Sequence, residues 1–247
     1  MDGALTTGTQ AKPPRAVDGN HGVTWWTDAW ALFTKNAGMW IVLGLILFII
    51  LIVLAVIPLV GQLASALLLP VFVAGWMLAA RKLEGGGTLE VGDLFAAFKG
   101  DKMTPLIVVG ALFLGMMVVV VLVMGVLGFG GAMGMTAGGM MGSGTGVMAG
   151  MGLSLLAVAV GLALLMLVTM ALWFAPPLVV LRGVAPVDAM RQSFDASLKN
   201  IVPFLLWGLI YIVAAMVASI PFGLGWLVLV PVLMLTVYTS YKDVFEG

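Results

Sequence analysis

The stretch GFGGAMGMTAGGMMGSGTGVMAGMG, residues 128–152, holds eleven glycines and six methionines in twenty-five positions, with no charge and no proline. It lies inside a longer run, 103–181, without a single ionisable side chain. A hydrocarbon core about 30 Å thick takes roughly 20 helical residues to cross. A run of this length must therefore cross and return, with the Gly/Met segment at the far side. Two more charge-free runs, 36–80 and 200–241, pose the same problem, and Pro58 to Gln62 and Pro221 to Gly225 supply their turns. Six spans follow, at about 38–58, 62–81, 104–127, 152–175 with an extension to 181, 201–220 and 224–241.

Composition points the same way. Of 247 residues, 62% are hydrophobic and 9% charged, far from the balance of a soluble domain. Eleven basic and eleven acidic residues cancel, so nucleic acid is not an expected partner. The absence of cysteine excludes disulfides, thiolate catalysis and Cys-ligated metals. All charges fall in patches between the spans. The positive-inside rule then places every patch, and both termini, in the cytoplasm of a bacterium, with the chain in the inner membrane. Residues 1–22 have no apolar core for a secretion signal and read as a disordered cytoplasmic tail; 23–247 reads as one membrane domain.

The domain reads as a threefold repeat, over about 23–84, 88–183 and 186–245. Each charge-free run is introduced by an amphipathic segment: VTWWTDAWALFTKN with Trp26, Trp30 and Phe33 as its stripe, LEVGDLFAAFKGDK with Val91, Leu94, Phe95 and Phe98, and PVDAMRQSFDASLKN with Val187, Met190, Phe194 and Leu198. Such segments are expected to lie flat among the lipid headgroups, apolar side down. The returning spans carry prolines, Pro70, Pro176, Pro177 and Pro231, which free backbone carbonyls and so are expected to pack inward. The expected fold is all-α: a polytopic membrane protein of six transmembrane helices, as three repeated hairpins, each preceded by a cytoplasmic amphipathic interfacial helix. Ala111 with Gly115, Ala157 with Gly161 and Ala214 with Ala218 have the spacing of small residues at helix crossings.

Chemistry is sparse. No Asp, Glu, Lys, Arg or His falls in the interior of an expected span, which disfavours a proton-driven pump, and no catalytic constellation or cofactor motif is present, so an enzyme is not expected. His21, the only histidine, reads as solvated or interfacial. Lys35, Lys99, Arg191 and Lys199 are candidate lipid-headgroup contacts, and Trp26, Trp30, Phe95 and Phe194 candidate interfacial anchors. Trp25, Trp40, Trp76, Tyr238 and Tyr241 read as further anchors. Thioethers suit Cu(I), which makes Met133, Met135, Met140 and Met141, with the pair Met148 and Met151, a candidate metal site. The plainer reading of that segment is a flexible connector, because ordering so many glycines is entropically costly; a third is that its ends extend spans three and four beyond the membrane.

The blocks WALFTKNAGMWI, IPLVGQLASALLLPVFVAGWMLAARKLEGG, LEVGDLFAAF, ALWFAPPLVVLRGVAPVDAMRQSFDASLKNIVPFLLWG and VPVLMLTVYTSYKDVF resemble a family of uncharacterised proteobacterial multi-spanning inner-membrane proteins, over about residues 22–245. More distantly, the repeat is similar to the membrane domain attached to some bacterial glycerophosphodiester phosphodiesterases. The resemblance implies a location and an architecture, and no functional residue. The expected role is non-enzymatic: organising or binding membrane lipids or a membrane partner, as a homo-oligomer or with another membrane protein. The alternatives are a carrier or channel for a lipid-like or uncharged solute, with Gln62, Ser65, Ser154, Thr169, Ser219 and Thr236 as its sparse polar lining, and Cu(I) handling by the Met-rich loop.

Overall fold

The computed structural model describes residues 13–247, and all regular structure in them is helical. In chain order the helices are α1 (His21–Thr34), α2 (Ala37–Ala55), α3 (Val60–Glu84), α4 (Met103–Met140), α5 (Gly144–Trp173), α6 (Ala175–Arg182), α7 (Pro186–Lys199), α8 (Ile201–Ser219) and α9 (Trp226–Tyr241). A 3₁₀ segment, Val91–Phe98, sits between α3 and α4. Six helices, α2, α3, α4, α5 with α6, α8 and α9, are long and apolar enough to cross a membrane. Among these, α3 and α9 are the most enclosed by protein, and α2 and α8 the least. A helix apolar all round, such as α2, needs apolar surroundings on every side, which is what lipid supplies.

The Gly/Met segment is helical. It forms the end of α4 and the start of α5, joined by a turn at Met141 to Ser143, where Gly142 has φ +63° and the Ser143 hydroxyl accepts the Gly146 N–H at 3.2 Å. Its glycines face each other across the two helices. A Cβ on Gly150 would stand 2.3 Å from the Met135 nitrogen, one on Gly138 2.5 Å from the Val147 nitrogen, and one on Gly131 2.8 Å from the Ser154 nitrogen. The expected flexible connector is thus replaced by a glycine seam, because backbone contact across the seam offsets the entropy that glycine loses on ordering. Further along, Ala157 and Gly161 continue the seam, with Gly161 closed on by the Met124 sulfur. Ala111 and Gly115 are exposed instead, and it is Gly110 that lets α4 approach Ala66 and Leu67 of α3. At 38 residues against 19, α4 is twice as long as α2.

The turns α2–α3 and α8–α9 are built alike. Leu59 follows Pro58 at φ +61°, and Phe222 follows Pro221 at φ +51°. A glycine then closes each turn on the helix before it, Gly61 against Leu54 and Gly225 against Ala218. The prolines Pro70, Pro176, Pro177 and Pro231 are all buried, as their inward packing required. Pro231 rests in a notch at Gly44, where an added Cβ would meet its ring at 3.4 Å.

The amphipathic segments pack on protein differently from their apolar stripes. In α1 the buried residues are Gly22, Trp25, Ala29, Leu32 and Phe33, while Trp30 is 52% exposed. In α7 they are Ala189, Met190, Ser193, Ala196 and Ser197, and Val187 and Leu198 are exposed. On α7 the docking face is mostly small residues, which admit close approach, whereas on α1 the large Trp25, Leu32 and Phe33 pack inward beside Gly22 and Ala29. The second segment is a 3₁₀ helix, seated with Leu94 over Gly75 of α3. Trp25, Trp40, Trp76, Tyr238 and Tyr241, expected as interfacial anchors, are fully buried together with Phe174 and Phe245. They form the core of the charged end, and Trp40 stacks on Trp76 at 5.3 Å.

Of the tail expected to be disordered, 1–12 lies outside the described residues, whereas 13–20 is held in place. Buried Asn200 grips it by accepting the Val17 N–H at 2.8 Å and donating to the Arg15 carbonyl at 3.0 Å. The Arg15 N–H also reaches the Val244 carbonyl at 3.0 Å.

Candidate functional site

At the charged end, the start of α1, the end of α3 and the turn after α9 enclose a polar pocket of about 470 Å³. Three acidic side chains in its wall are spoken for. Asp243 accepts the Trp25 indole N–H at 2.8 Å and contacts His21 Nδ1 at 2.7 Å and the Arg15 guanidinium. Glu84 accepts the Tyr238 hydroxyl at 2.7 Å and pairs with Lys242, and Glu246 pairs with Arg81. His21, expected to be solvated or interfacial, is therefore half-buried beside a carboxylate.

Two charges lining the pocket are not spoken for. Asp28 and Lys35 both project from α1 into it, and neither has a hydrogen bond or ion pair among the described residues. They lie two turns apart on one face, beyond the three- or four-residue spacing at which helix neighbours pair. Loss of water around Asp28, and secondly the nearby Asp243 carboxylate, push its pKa above the ordinary carboxylate value.

On the other side of α1 the surface is apolar. α8 and α9 meet where Gly225 abuts Ala218, and α1 is wedged between them at the charged end, with Gly22 against Pro203 and Trp207. The gap left below α1 is a groove of about 660 Å³, roofed by Trp26 and Trp30 and walled by Ala214, Val217, Val228 and Val232; among the described residues Thr27 is its one hydroxyl-bearing residue. Trp26 is fixed in that roof by stacking on Trp207 at 5.8 Å and donating to its carbonyl at 3.3 Å. A second apolar cleft, about 380 Å³, opens between α3, α4, α5 and α9 beside Pro70 and Pro176.

The residues singled out from the sequence do not converge on one site. Lys35 lines the polar pocket, Lys99 is exposed where the 3₁₀ segment ends, Arg191 shares a shallow apolar hollow with Phe194, and Lys199 points to the Pro14 carbonyl at 3.5 Å. Phe95 packs between Phe72 and Phe98. Of the methionines, Met133 and Met135 are two positions apart on α4 and so on roughly opposite sides of it. Met140 and Met141 are 90% and 84% exposed at the tip, and Met148 points outward as well. The glycines, not the thioethers, occupy the facing surfaces. The sparse polar groups of the spans turn back on their own helices: Ser154 to Gly150, Thr169 to Leu165, Ser219 to Ala215 and Thr236 to Leu233.

Sequence reasoning missed the Arg15, Asp28, Glu84, Lys242 and Asp243 cluster. The signal available was that the first and third returning helices both end in a basic residue followed within four positions by an acidic one, Arg81 with Glu84 and Lys242 with Glu246. Compared with known proteins, the chain matches no family model, no curated protein and no solved structure.

Proposed function

We propose that the protein is a non-enzymatic integral protein of the bacterial inner membrane that binds lipid, taking acyl chain into the groove beneath α1, with its charged end in the cytoplasm. The observation that carries this reading is the groove itself: a membrane-facing gap of about 660 Å³ with walls almost wholly apolar, roofed by two tryptophans at the charged end of the helices. An aqueous path would need polar walls, and the hydroxyls of Ser154, Thr169, Ser219 and Thr236 are engaged with their own backbones. The groove exists because α8 and α9 pack less on each other than on α1.

The same contacts support a threefold architecture. The segment before α2 packs on α8 and α9, the one before α4 packs on α3 and α2, and the one before α8 packs on α5 and α4. Each amphipathic segment thus braces the helix pair of the preceding repeat, and the third closes the ring with the first. The matching turns at Leu59 and Phe222 fit this reading. Exposed Trp30, Val91, Val187 and Leu198 then supply apolar contact with the interface.

Native mass spectrometry of protein released from nanodiscs tests the reading. Filling the groove with Ala214→Trp or Val228→Trp is expected to remove a retained lipid that the unmodified protein keeps. Equal lipid retention by all three proteins would reject it.

A further inference from the structure

The polar pocket has an unusual charge arrangement. Its wall holds three ion pairs, Asp243 with Arg15, Glu84 with Lys242 and Glu246 with Arg81, and among the described residues the Asp28 and Lys35 side chains line it without an ion pair of their own, Asp28 feeling Lys242 and His21, and Lys35 feeling Glu84, only at longer range. These are seven residues apart on α1, hence about 10 Å along its axis. They cannot neutralise each other across that distance. An anion entering the pocket meets Lys35 but is repelled by Asp28, and a cation meets the reverse. A ligand that carries both charges satisfies both residues at once.

We infer that the pocket receives a zwitterionic phosphate ester bearing a primary ammonium, of the phosphoethanolamine type, with its ammonium at Asp28 and its phosphate at Lys35. The choice of a primary over a quaternary ammonium follows from the lining. Quaternary groups are held by the faces of Trp, Tyr and Phe, and none of these lines this pocket among the described residues. What it offers around Asp28 is hydrogen-bonding surface, the Thr24 hydroxyl and the carboxylate, which suits an ammonium with N–H donors. Desolvation, and after it the Asp243 carboxylate, raise the pKa of Asp28 more than Lys242 and His21 lower it. The ester can arrive as a lipid headgroup or as a free solute, and the pocket chemistry is the same for both. Where the source is a lipid, this inference rests on the lipid-binding reading and adds the headgroup that accompanies the chain.

Two measurements on the full chain test it: native mass spectrometry from nanodiscs containing phosphatidylethanolamine, phosphatidylcholine or phosphatidylglycerol, and calorimetric titration of detergent-solubilised protein with free phosphoethanolamine. The expected result is retention of the ethanolamine lipid over the other two, or binding of the free ester, weakened about tenfold by Asp28→Asn and by Lys35→Gln, as for loss of one charge-assisted hydrogen bond. Retention of the lipid without binding of the free ester assigns the source to the membrane; binding of the free ester assigns it to a solute. Both side chains are exposed, so folding is retained, and the exchanged pair Asp28→Lys with Lys35→Asp is expected to keep binding, since both charges persist. Equal retention of the choline lipid, indifference to both single substitutions, or no binding of either ligand overturns the inference. A lipid that is retained regardless of headgroup and lost only on Ala214→Trp leaves the groove standing while removing the pocket.

Discussion

Ser193 of α7 stands in for a backbone hydrogen bond beside Phe174. Its hydroxyl accepts the Phe174 N–H at 2.9 Å and donates to the Met170 carbonyl at 2.7 Å. In an unbroken helix that N–H would reach that carbonyl directly. The inserted hydroxyl opens the ladder just ahead of Pro176 and Pro177, where α5 gives way to α6. Ser193→Ala is expected to destabilise the protein by about 1–3 kcal/mol, because the buried Phe174 N–H loses its hydroxyl partner and the Met170 carbonyl keeps only the longer bond from Ser197. Ser197→Ala is expected to cost less, since its single bond to the same carbonyl is 3.2 Å long. Thermal unfolding of both variants in one detergent gives the comparison.

The glycine seam predicts a positional pattern. Gly138→Ala and Gly150→Ala place a methyl against backbone and are expected to lower the unfolding temperature, by about 1–3 kcal/mol of overpacking each. Gly139→Ala and Gly152→Ala meet nothing within 4 Å and are expected to be neutral or stabilising. Equal effects at all four positions would contradict the seam.

Asp28 imposes a pH dependence whose sign follows from its raised pKa. A carboxyl that ionises less readily when folded weakens the fold as pH climbs from the ordinary value of 3.8 through the raised one. Asp28→Asn removes that loss. The variant and the unmodified protein are expected to unfold alike in acid, and the variant to be the more stable at neutral pH. A gap that widens toward acid instead would reverse the assignment.

Asn200 holds the N-terminal segment through Val17 and Arg15. Asn200→Ala is expected to release 13–20 and expose it to limited proteolysis, with digestion at Arg15 faster at unchanged rates elsewhere. Cleavage at the unmodified rate would show that the contacts of Arg15 with Val244 and Asp243 hold the segment without Asn200.

The six spans and their turns were legible because charge is excluded from hydrocarbon and the charge-free runs were too long for one crossing. The buried prolines were legible for a related reason, the need to satisfy freed carbonyls. The reading of the glycine segment as an extension of spans three and four agrees with α4 and α5, whereas the connector reading failed because the poor helix propensity of glycine in water does not contain the backbone packing that two helices gain along glycine faces. The apolar stripe of α7 was expected to face the lipid, and Val187 and Leu198 are exposed; what was not legible is the face that docks on protein, made of Ala189, Ser193 and Ala196. The polar pocket was out of reach because residues 15, 28, 84 and 243 meet only through tertiary packing.

The unequal helix lengths carry a mechanical consequence. At 1.5 Å per residue, α2 and α8 are each about 28 Å long, close to one hydrocarbon thickness, while α4 is about 57 Å. One bilayer cannot match both. A membrane fitted to the outer pairs leaves the rigid, uncharged tip of α4 and α5 standing proud of it, and a thicker membrane swallows more of the tip while stretching over the short pairs. Every change in local thickness therefore shifts load between the two, at a fraction of a kcal/mol per ångström. Bilayer thickness is therefore expected to be a coordinate along which the preference of this protein for one membrane region over another varies.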